Sequence, residues 1–330
     1  MQVVQAQGNF VVNLCLLAVE ISHILSKYIM RTVSYMSSNK IGSIAMFICA
    51  FIWGISFVSV KIIVSVIEPM TLGFLRFSLA SILLFIIVIL KKQDLKINRE
   101  DYFLIFIAGS IGITVYFYFE TNGVKMTTAS VASLVIASIP VISALAESFV
   151  YKTKITPKKW GSLILSIFGV LLIVGFKYNE LVASGFLKGY LMMFAAAFTA
   201  VVYSLSTKPL FKRYDYLAIV FYQTVIGAVF FIPFMIFEDN NWLMVDLKIV
   251  LNIVFLGVFA SAMGFYLYLV GLKHLGISNS AMFLNIIPIV SVIVSIIFLD
   301  EQITHLQFIG GLFVISSVYL VNKRPKKIPK

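Results

Sequence analysis

The chain has 330 residues, of which 61% are hydrophobic and only 12% are charged. This composition leaves too little polar surface to cover a soluble core, so it excludes a soluble globular protein and predicts an all-α integral membrane protein. The formal net charge of +12 does not indicate a nucleic-acid partner, because Lys and Arg stand in short gaps between apolar runs, where they orient membrane helices. The expected surroundings are a lipid bilayer.

Motifs for catalysis or metal binding are missing from the sequence. Cys15 and Cys49 lie inside apolar runs without metal-ligand spacing, and His23, His274 and His305 stand far apart. No glycine-rich phosphate loop, HExxH helix or pair of carboxylates at glycosidase-like positions occurs. We therefore expect no enzyme, no ATP-driven pump, no metal and no cofactor.

Residues 1–40 form an N-terminal leader. Its apolar stretch, from Phe10 to Ile29, contains Glu20, and a carboxylate inside hydrocarbon costs roughly 2 to 3 kcal/mol. An interfacial helix therefore fits the stretch better than an eleventh span. The alternative is an upstream start codon, because Met36 followed by a short polar stretch and a strong apolar run is typical of an N-terminus.

From Ile41 onward, ten apolar runs are each long enough, at about 20 residues, to cross a bilayer as helices. Most of the 26 Lys and Arg fall in alternate connections and in the basic tail 323–330, which predicts that both termini are cytoplasmic. The predicted spans are 41–66, 69–90, 102–119, 126–150, 158–176, 187–207, 216–237, 248–270, 277–299 and 306–322.

One stretch of the chain occurs twice. Residues 123–156 match residues 271–304 without a gap at a constant shift of 148 positions (271 minus 123). Each repeat, 41–177 and 187–322, contains five predicted spans, and an odd number means that the second repeat enters the membrane from the opposite side. The repeats are therefore predicted to be inverted, an arrangement that opens one central site alternately to either side. Identical pairs include Gly123/Gly271, Lys125/Lys273, Ser130/Ser278, Pro140/Pro288, Ser143/Ser291 and Thr156/Thr304.

Short motifs then suggest a family. The first span has a WGxxFxxxK pattern from Trp53 to Lys61, Pro69 and Arg76 follow in the second span, and the ninth ends in the acidic segment 300–304. Together with the small-residue helices that carry a central Pro and the two five-helix halves, this order and spacing resembles the EamA-domain family of the drug/metabolite transporter superfamily over about residues 41–322. One departure is Thr153, which stands where the family usually has Glu.

The resemblance implies a secondary transporter of the cell membrane that moves a small organic metabolite by alternating access, most often outward. Amino acids, other metabolites and drugs are all substrates of this family. A nucleotide-sugar or phosphorylated-sugar exchanger of the same superfamily is the first alternative, and a membrane-embedded enzyme or assembly factor is the second. A homodimer is left open.

Four aromatic side chains are candidates for lining a substrate cavity: Trp53, near the middle of its span, and Tyr116, Tyr203 and Tyr266. Their flat faces suit amino acids, aromatic metabolites or cationic drugs through stacking and cation–π contacts. Core packing is the alternative, because aromatic residues make up 15% of the chain.

Two prolines and one amide stand near the middle of the fourth and ninth predicted spans. Pro140 and Pro288 each free a backbone carbonyl one turn earlier and kink the helix, which predicts either hinges or a fixed bend. Asn285 takes the place of Ala137 in the second repeat. A buried amide needs a partner, which a substrate or a neighbouring helix would supply.

Ionisable side chains inside spans are functional candidates. Arg76 needs an anion, which is either Glu120 at the end of the third span or a substrate carboxylate. Glu147 is a candidate proton-coupling group, or else forms a shallow ion pair near the end of its span. Lys61 lies close to a span end and is interpreted as an interfacial anchor.

Overall fold

The computed structural model describes residues 38–150, 152, 157–174 and 185–322. All regular elements in these ranges are helices and no strand occurs among them, which confirms the predicted all-α class. Eight helices of the described chain are long and apolar enough to cross a membrane, and two shorter apolar helices, Trp160–Ile173 and His305–Ser317, accompany them. The leader 1–37 and the tail 323–330 lie outside the described residues.

The first half, as far as the structure describes it, folds into five helical rods that we number α1 to α5. Pro69 starts α2, where its missing N–H costs nothing, and the Thr128 hydroxyl caps α4 by accepting a bond from the Val131 N–H at 3.2 Å. The rods are α1 (Ser38–Ile63), α2 (Pro69–Leu90), α3 (Tyr102–Gly109, the π-helical Ser110–Val115, and Tyr116–Met126), α4 (Ala129–Ile136 and Ile139–Val150) and α5 (Pro157–Val174).

The described part of the second half repeats this series as α6 to α10. Asp215 caps α7 by accepting a bond from the Leu217 N–H at 2.8 Å, and Asp246 caps α8 by accepting from the Ile249 N–H at 2.9 Å. The rods are α6 (Phe186–Thr207), α7 (Tyr216–Met235), α8 (Leu247–Phe255, the π-helical Leu256–Met263, and Gly264–Leu275), α9 (Ile277–Phe283 and Ile286–Leu299) and α10 (His305–Asn322).

Helix irregularities recur at equivalent places in the two halves. Each third rod contains a π-helical segment, and the two segments end at Val115 and Met263, which are 148 positions apart (263 minus 115). Each fourth rod is interrupted just before its proline, because Pro140 and Pro288 cannot donate the hydrogen bond that would continue the helix. These interruptions agree with the kinks expected from the two prolines.

Helices of one half pack mainly against helices of the other. The opening rod α1 lies along α8 and α9, and its counterpart α6 lies along α3 and α4. Three further contacts join counterparts directly: α2 with α7, α4 with α9, and α5 with α10. The two halves are therefore interlocked.

Two glycine contacts show that the same helix packing recurs in both halves. A Cβ at Gly123 would lie 2.3 Å from the Met193 sulfur, and a Cβ at Gly271 would lie 2.2 Å from the Met46 sulfur. The two glycines are equivalent under the repeat at a shift of 148, and the two methionines, 147 positions apart (193 minus 46), occupy corresponding places on α1 and α6. Glycine at both places allows close approach of α3 to α6 and of α8 to α1.

Lys61 does not act as a free interfacial anchor. Its ammonium donates to the backbone carbonyls of Val124 at 2.9 Å, Lys125 at 3.2 Å, and Thr127. A cation at the C-terminal end of α3 is stabilised by the partial negative charge of the unpaired carbonyls there. Lys61 therefore ties the end of α1 to the end of α3.

Glu301, in the acidic segment after α9, caps the start of α4. One carboxylate oxygen accepts from the Ala129 N–H at 2.8 Å, and the other accepts from the Ser130 N–H at 2.9 Å and from the Ser130 hydroxyl at 2.5 Å. A carboxylate at a helix N-terminus satisfies unpaired N–H groups and complements the helix dipole. The segment thus joins the two halves where α9 ends and α4 begins.

A second polar cluster joins the α2–α3 connection to the α6–α7 connection. The Arg213 guanidinium donates to the Asp101 carboxylate at 2.8 Å, and the Tyr214 hydroxyl donates to the same oxygen at 2.7 Å. Burial and this hydrogen bond to Asp101 raise the pKa of the Tyr214 phenol. The phenol therefore stays protonated and keeps donating.

Candidate functional site

A cavity of about 60 Å³ lies between the two halves. Side chains from α1, α2, α3, α4, α6, α8 and α9 line it, and Ile136, Ile139, Leu284 and Ile287 bring in the interruptions of α4 and α9. The cavity therefore borders the interruptions of α4 and α9, where regular helical hydrogen bonding stops. A water molecule needs roughly 10 to 15 Å³, so the cavity has room for a few waters.

Seven of the sixteen described residues that line the cavity are aromatic. Phe265 on α8 is central, with ring centroids 5.5 Å from Trp53 and 5.6 Å from Tyr203. Tyr268, one turn along α8, lies 5.2 Å from Trp53. These separations are typical of edge-to-face and offset aromatic pairs, so the wall presents packed, flat apolar surfaces. The lining rings are Trp53, Phe57, Tyr116, Phe117, Tyr203, Phe265 and Tyr268.

Trp53 is held in place by the π-helical segment of α8. Its indole N–H donates to the Ala260 carbonyl at 2.9 Å, and Gly264 lets the indole nitrogen lie within 2.6 Å of the place where a Cβ would stand. The donor of the indole is therefore already used, and Trp53 offers the cavity its ring surface.

Among the described residues that line the cavity, Arg76 is the one with a positively charged side chain. Only 2% of its surface is exposed, and its Nε donates to the Ser261 hydroxyl at 2.9 Å. The guanidinium lies over the Phe117 ring, with Cζ 4.4 Å from the centroid, a cation–π distance. Its two terminal nitrogens donate to no described residue, and no described carboxylate comes within the 4.0 Å of a salt bridge.

Glu120 on α3 lines the same cavity and is 3% exposed. One of its oxygens accepts from the Thr121 hydroxyl at 3.0 Å, and the other accepts no hydrogen bond from the described chain. Arg76 and Glu120 thus share one cavity, and each keeps free hydrogen-bonding capacity toward it. A carboxylate bound between them would meet the donors of Arg76.

The structure brings together four of the six predicted substrate-binding residues. Trp53, Arg76, Tyr116 and Tyr203 line the cavity. Tyr266 packs against Tyr216, with ring centroids 6.1 Å apart, and is outside the lining.

The remaining predicted residues are Asn285 and Glu147. Asn285 lies at the interruption of α9, outside the lining, and its side-chain oxygen is buried without a hydrogen bond from any described group. The side chain of Glu147 lies outside the described residues.

Sequence reasoning missed Phe265 and Tyr268. Tyr266 was the aromatic residue predicted for this helix, but residues two apart on a helix point about 200° apart. The spacing from Phe265 to Tyr268 does put two aromatic rings on one helix face. The sequence does not determine whether the face of Phe265 and Tyr268 or the face of Tyr266 points into the cavity. The π-helical segment directly before these residues shifts the angular position of every later side chain on the helix.

Comparison with known proteins agrees with this architecture. The EamA-like transporter family matches the chain twice, over residues 40–175 and 187–323. An uncharacterized transporter of Archaeoglobus fulgidus is 27% identical over 272 residues, which cover 82% of this chain and 95% of that protein. A crystal structure of a protein with 17% identity aligns with a TM-score of 0.62 over 86% of this chain and 98% of that one, which is a likeness of fold alone.

One similar protein has a more specific name. A "Probable terminal-alkyne amino-acid exporter" of Streptantibioticus cattleyicolor is 27% identical over 230 residues, which cover 69% of this chain and 75% of that protein.

The two family matches cover most of the chain and confirm the resemblance inferred from its motifs. Members of the family are transporters, so the prediction that the chain is not an enzyme is also confirmed. The chain therefore belongs to the EamA-like transporter family and is a multi-pass membrane transporter.

Proposed function

We propose that this protein is a secondary transporter of the cell membrane that exports a small organic metabolite bearing a carboxylate. The observation that carries the proposal is Arg76, a buried guanidinium whose terminal nitrogens have no described partner and which faces an aromatic cavity. Buried donors without acceptors are costly, and a substrate carboxylate would accept two parallel hydrogen bonds from the terminal nitrogens.

The proposed architecture has ten membrane-crossing helices in two inverted five-helix repeats, 41–177 and 187–322, with both termini cytoplasmic. Support comes from the equivalent contacts of Gly123 with Met193 and of Gly271 with Met46. The equivalent interruptions of α4 and α9 support it further. Five spans in each repeat, with Lys and Arg concentrated in alternate connections, favour inversion over a parallel repeat.

Transport by alternating access requires the cavity to enlarge. At about 60 Å³ it is much smaller than the roughly 300 to 1,000 Å³ of sites for drug-sized ligands. The interruptions before Pro140 and Pro288 touch the cavity and are the proposed hinges, because few backbone hydrogen bonds need to break there.

An amino acid or another aromatic or apolar metabolite is the proposed substrate. The aromatic wall would hold an apolar body, and Arg76 would hold the carboxylate. The name of the Streptantibioticus cattleyicolor relative supports both export and an amino-acid substrate. A nucleotide-sugar exchanger is disfavoured, because Arg76 is the sole cation among the described residues of the lining.

Purified protein in liposomes, tested with a panel of labelled carboxylic metabolites, checks the role of Arg76. Arg76→Gln removes hydrogen bonds from a charged donor, worth about 1.5 to 3 kcal/mol, and we expect carboxylate transport to fall roughly 10- to 100-fold. Arg76→Lys should recover part of the rate. The matched control is Arg99→Gln, at an exposed position of the α2–α3 connection, which should transport normally.

Melting temperature and size-exclusion profile separate transport from folding. A folded Arg76→Gln protein that transports carboxylates at the wild-type rate would refute the assignment. Failure of both Arg76 variants to fold would instead show that Arg76 serves as a structural counter-ion for Glu120.

A further inference from the structure

With Arg76 and Glu120 both ionised, the charges of the cavity side chains sum to zero. Arg76 contributes one positive charge and Glu120 one negative charge, and both side chains are almost completely buried. A monocarboxylate that binds Arg76 brings a second negative charge into this low-dielectric space. An unpaired buried charge costs several kcal/mol, and proteins commonly avoid that cost by a change of protonation.

We propose that Glu120 is the proton-binding group of the transport cycle and is protonated when a monoanionic carboxylate occupies Arg76. This inference rests on the proposed function. In the step, the substrate carboxylate accepts hydrogen bonds from the terminal nitrogens of Arg76, and a proton from the aqueous phase forms an O–H bond on the Glu120 carboxylate. The cavity then holds Arg76⁺, the substrate anion and neutral Glu120, so its net charge is again zero.

The surroundings of Glu120 leave few other groups that could take the proton. The cavity is lined by Arg76 on α2 and by phenols on α3, α6 and α8, namely Tyr116, Tyr203 and Tyr268. Near neutral pH a guanidinium group stays positively charged and a phenol stays neutral. The described lining from α1, α4 and α9 contains no titratable side chain.

The free oxygen of Glu120 gives the proton a place to bind. The Thr121 hydroxyl donates to one carboxylate oxygen, while the other is unoccupied by any described donor. A protonated Glu120 could therefore keep its bond to Thr121 and donate its new O–H toward the cavity.

The charge balance predicts a difference between two kinds of substrate. A zwitterion brings its own ammonium, which can donate a hydrogen bond to an ionised Glu120. The cavity is then neutral without protonation of Glu120. Phenylalanine and 3-phenylpropionate share an aromatic body and a carboxylate and differ in that ammonium. They are the matched probes for the proposal.

The test measures proton uptake on ligand binding by the full chain in detergent micelles, with a pH-indicator dye in weakly buffered solution near pH 7. Binding is followed in parallel by calorimetry, and empty micelles are the blank. We expect 3-phenylpropionate to bind with uptake of about one proton per site and phenylalanine to bind with almost none, because linkage ties proton uptake to the change in charge.

Variants locate the proton. Glu120→Gln should bind 3-phenylpropionate without proton uptake, and Glu120→Asp should retain the uptake. Glu100→Gln, which changes an exposed carboxylate, is the matched control and should behave as wild type. The wild-type measurement needs no variant, so a folding defect in Glu120→Gln does not remove the test.

Three outcomes overturn the proposal. The first is binding of 3-phenylpropionate to the wild type without proton uptake. The second is uptake that persists in Glu120→Gln and disappears in Glu147→Gln, which would move the proton to Glu147. The third is failure of both probes to bind, which also removes the carboxylate role of Arg76. Transport of other metabolites in liposomes would still leave the transporter function standing.

Discussion

Arg76 and Gln223 occupy corresponding positions, each seven residues after the start of α2 or α7, yet their side chains are used in opposite ways. The Gln223 amide is satisfied within its own half: it accepts from the Tyr203 hydroxyl at 2.9 Å and donates to the Thr207 hydroxyl at 3.0 Å. Within the described chain, Arg76 makes one hydrogen bond, and its terminal nitrogens donate to no residue there. A neutral amide can be completed by two neighbours, whereas a guanidinium with five donors needs an anion. The binding chemistry is therefore asymmetric within a symmetric fold.

Tyr268 and Tyr266 provide a test of which face of α8 meets the substrate. Tyr268→Leu removes a ring from the cavity wall, where aromatic pairs are worth about 0.5 to 1.5 kcal/mol, and should weaken binding of phenylalanine roughly 2- to 10-fold. Tyr266→Leu, outside the lining, is the control and should bind nearly as wild type. Calorimetry on both variants decides, and a larger loss in Tyr266→Leu would place the site on the other face.

At the scale of helices, charged side chains hold the ends of rods together, Lys61 within the first half and Glu301 across the two halves. Lys61 from α1 caps the end of α3, and Glu301 after α9 caps the start of α4. The position equivalent to Glu301 in the first half is Thr153, which lies outside the described residues. A threonine cannot supply a carboxylate, so the cap on α9 cannot be the charged counterpart of the cap on α4.

We expect the Glu301 cap to control local opening of α4. Glu301→Gln replaces hydrogen bonds to a charged acceptor, worth about 1.5 to 3 kcal/mol, by weaker ones, so the amides of residues 129–131 should exchange roughly tenfold faster. Hydrogen–deuterium exchange with mass spectrometry measures this. Asp300→Asn is the matched control, because Asn tolerates the left-handed backbone at position 300, where φ is 52°. Equal protection in Glu301→Gln and wild type would contradict the cap.

The cavity around Arg76 is built from both halves, because each half completes the other. The opening rod of each half, α1 or α6, lies against the third and fourth rods of the opposite half. The cavity accordingly draws on both repeats, with Trp53 and Arg76 from the first and Tyr203 and Phe265 from the second. A half expressed alone would expose these inner surfaces.

Inversion of the repeats is testable by the side on which equivalent positions appear. Lys125 and Lys273 are equivalent positions separated by an odd number of spans. Inverted repeats therefore put them in opposite compartments. In a background without Cys15 and Cys49, a membrane-impermeant thiol reagent applied outside whole cells should label Lys125→Cys. It should label Lys273→Cys only after permeabilisation. Labelling of both from the same side would exclude inversion.

Sequence alone was sufficient for the class of protein, its helices and its family. Apolar runs of span length, the repeat at a shift of 148 and the motifs around Trp53 and in the segment 300–304 are local properties of the chain. Each follows from composition, from hydrogen bonding inside a helix or from the absence of an N–H at proline. Arg76 was also identifiable, because a charge inside an apolar span is costly wherever the span lies.

Tertiary structure decided which side chains share the cavity and which are already used. The pairing of Trp53 with the Ala260 carbonyl joins residues 207 positions apart. The contact of Glu301 with the Ala129 N–H spans 172 positions, and that of Lys61 with the Val124 carbonyl spans 63. Tyr268 lines the cavity and Tyr266 does not, and this depends on how α8 is rotated after its π-helical segment. Such contacts depend on how rods pack against one another, and helical periodicity within a single rod does not encode that packing.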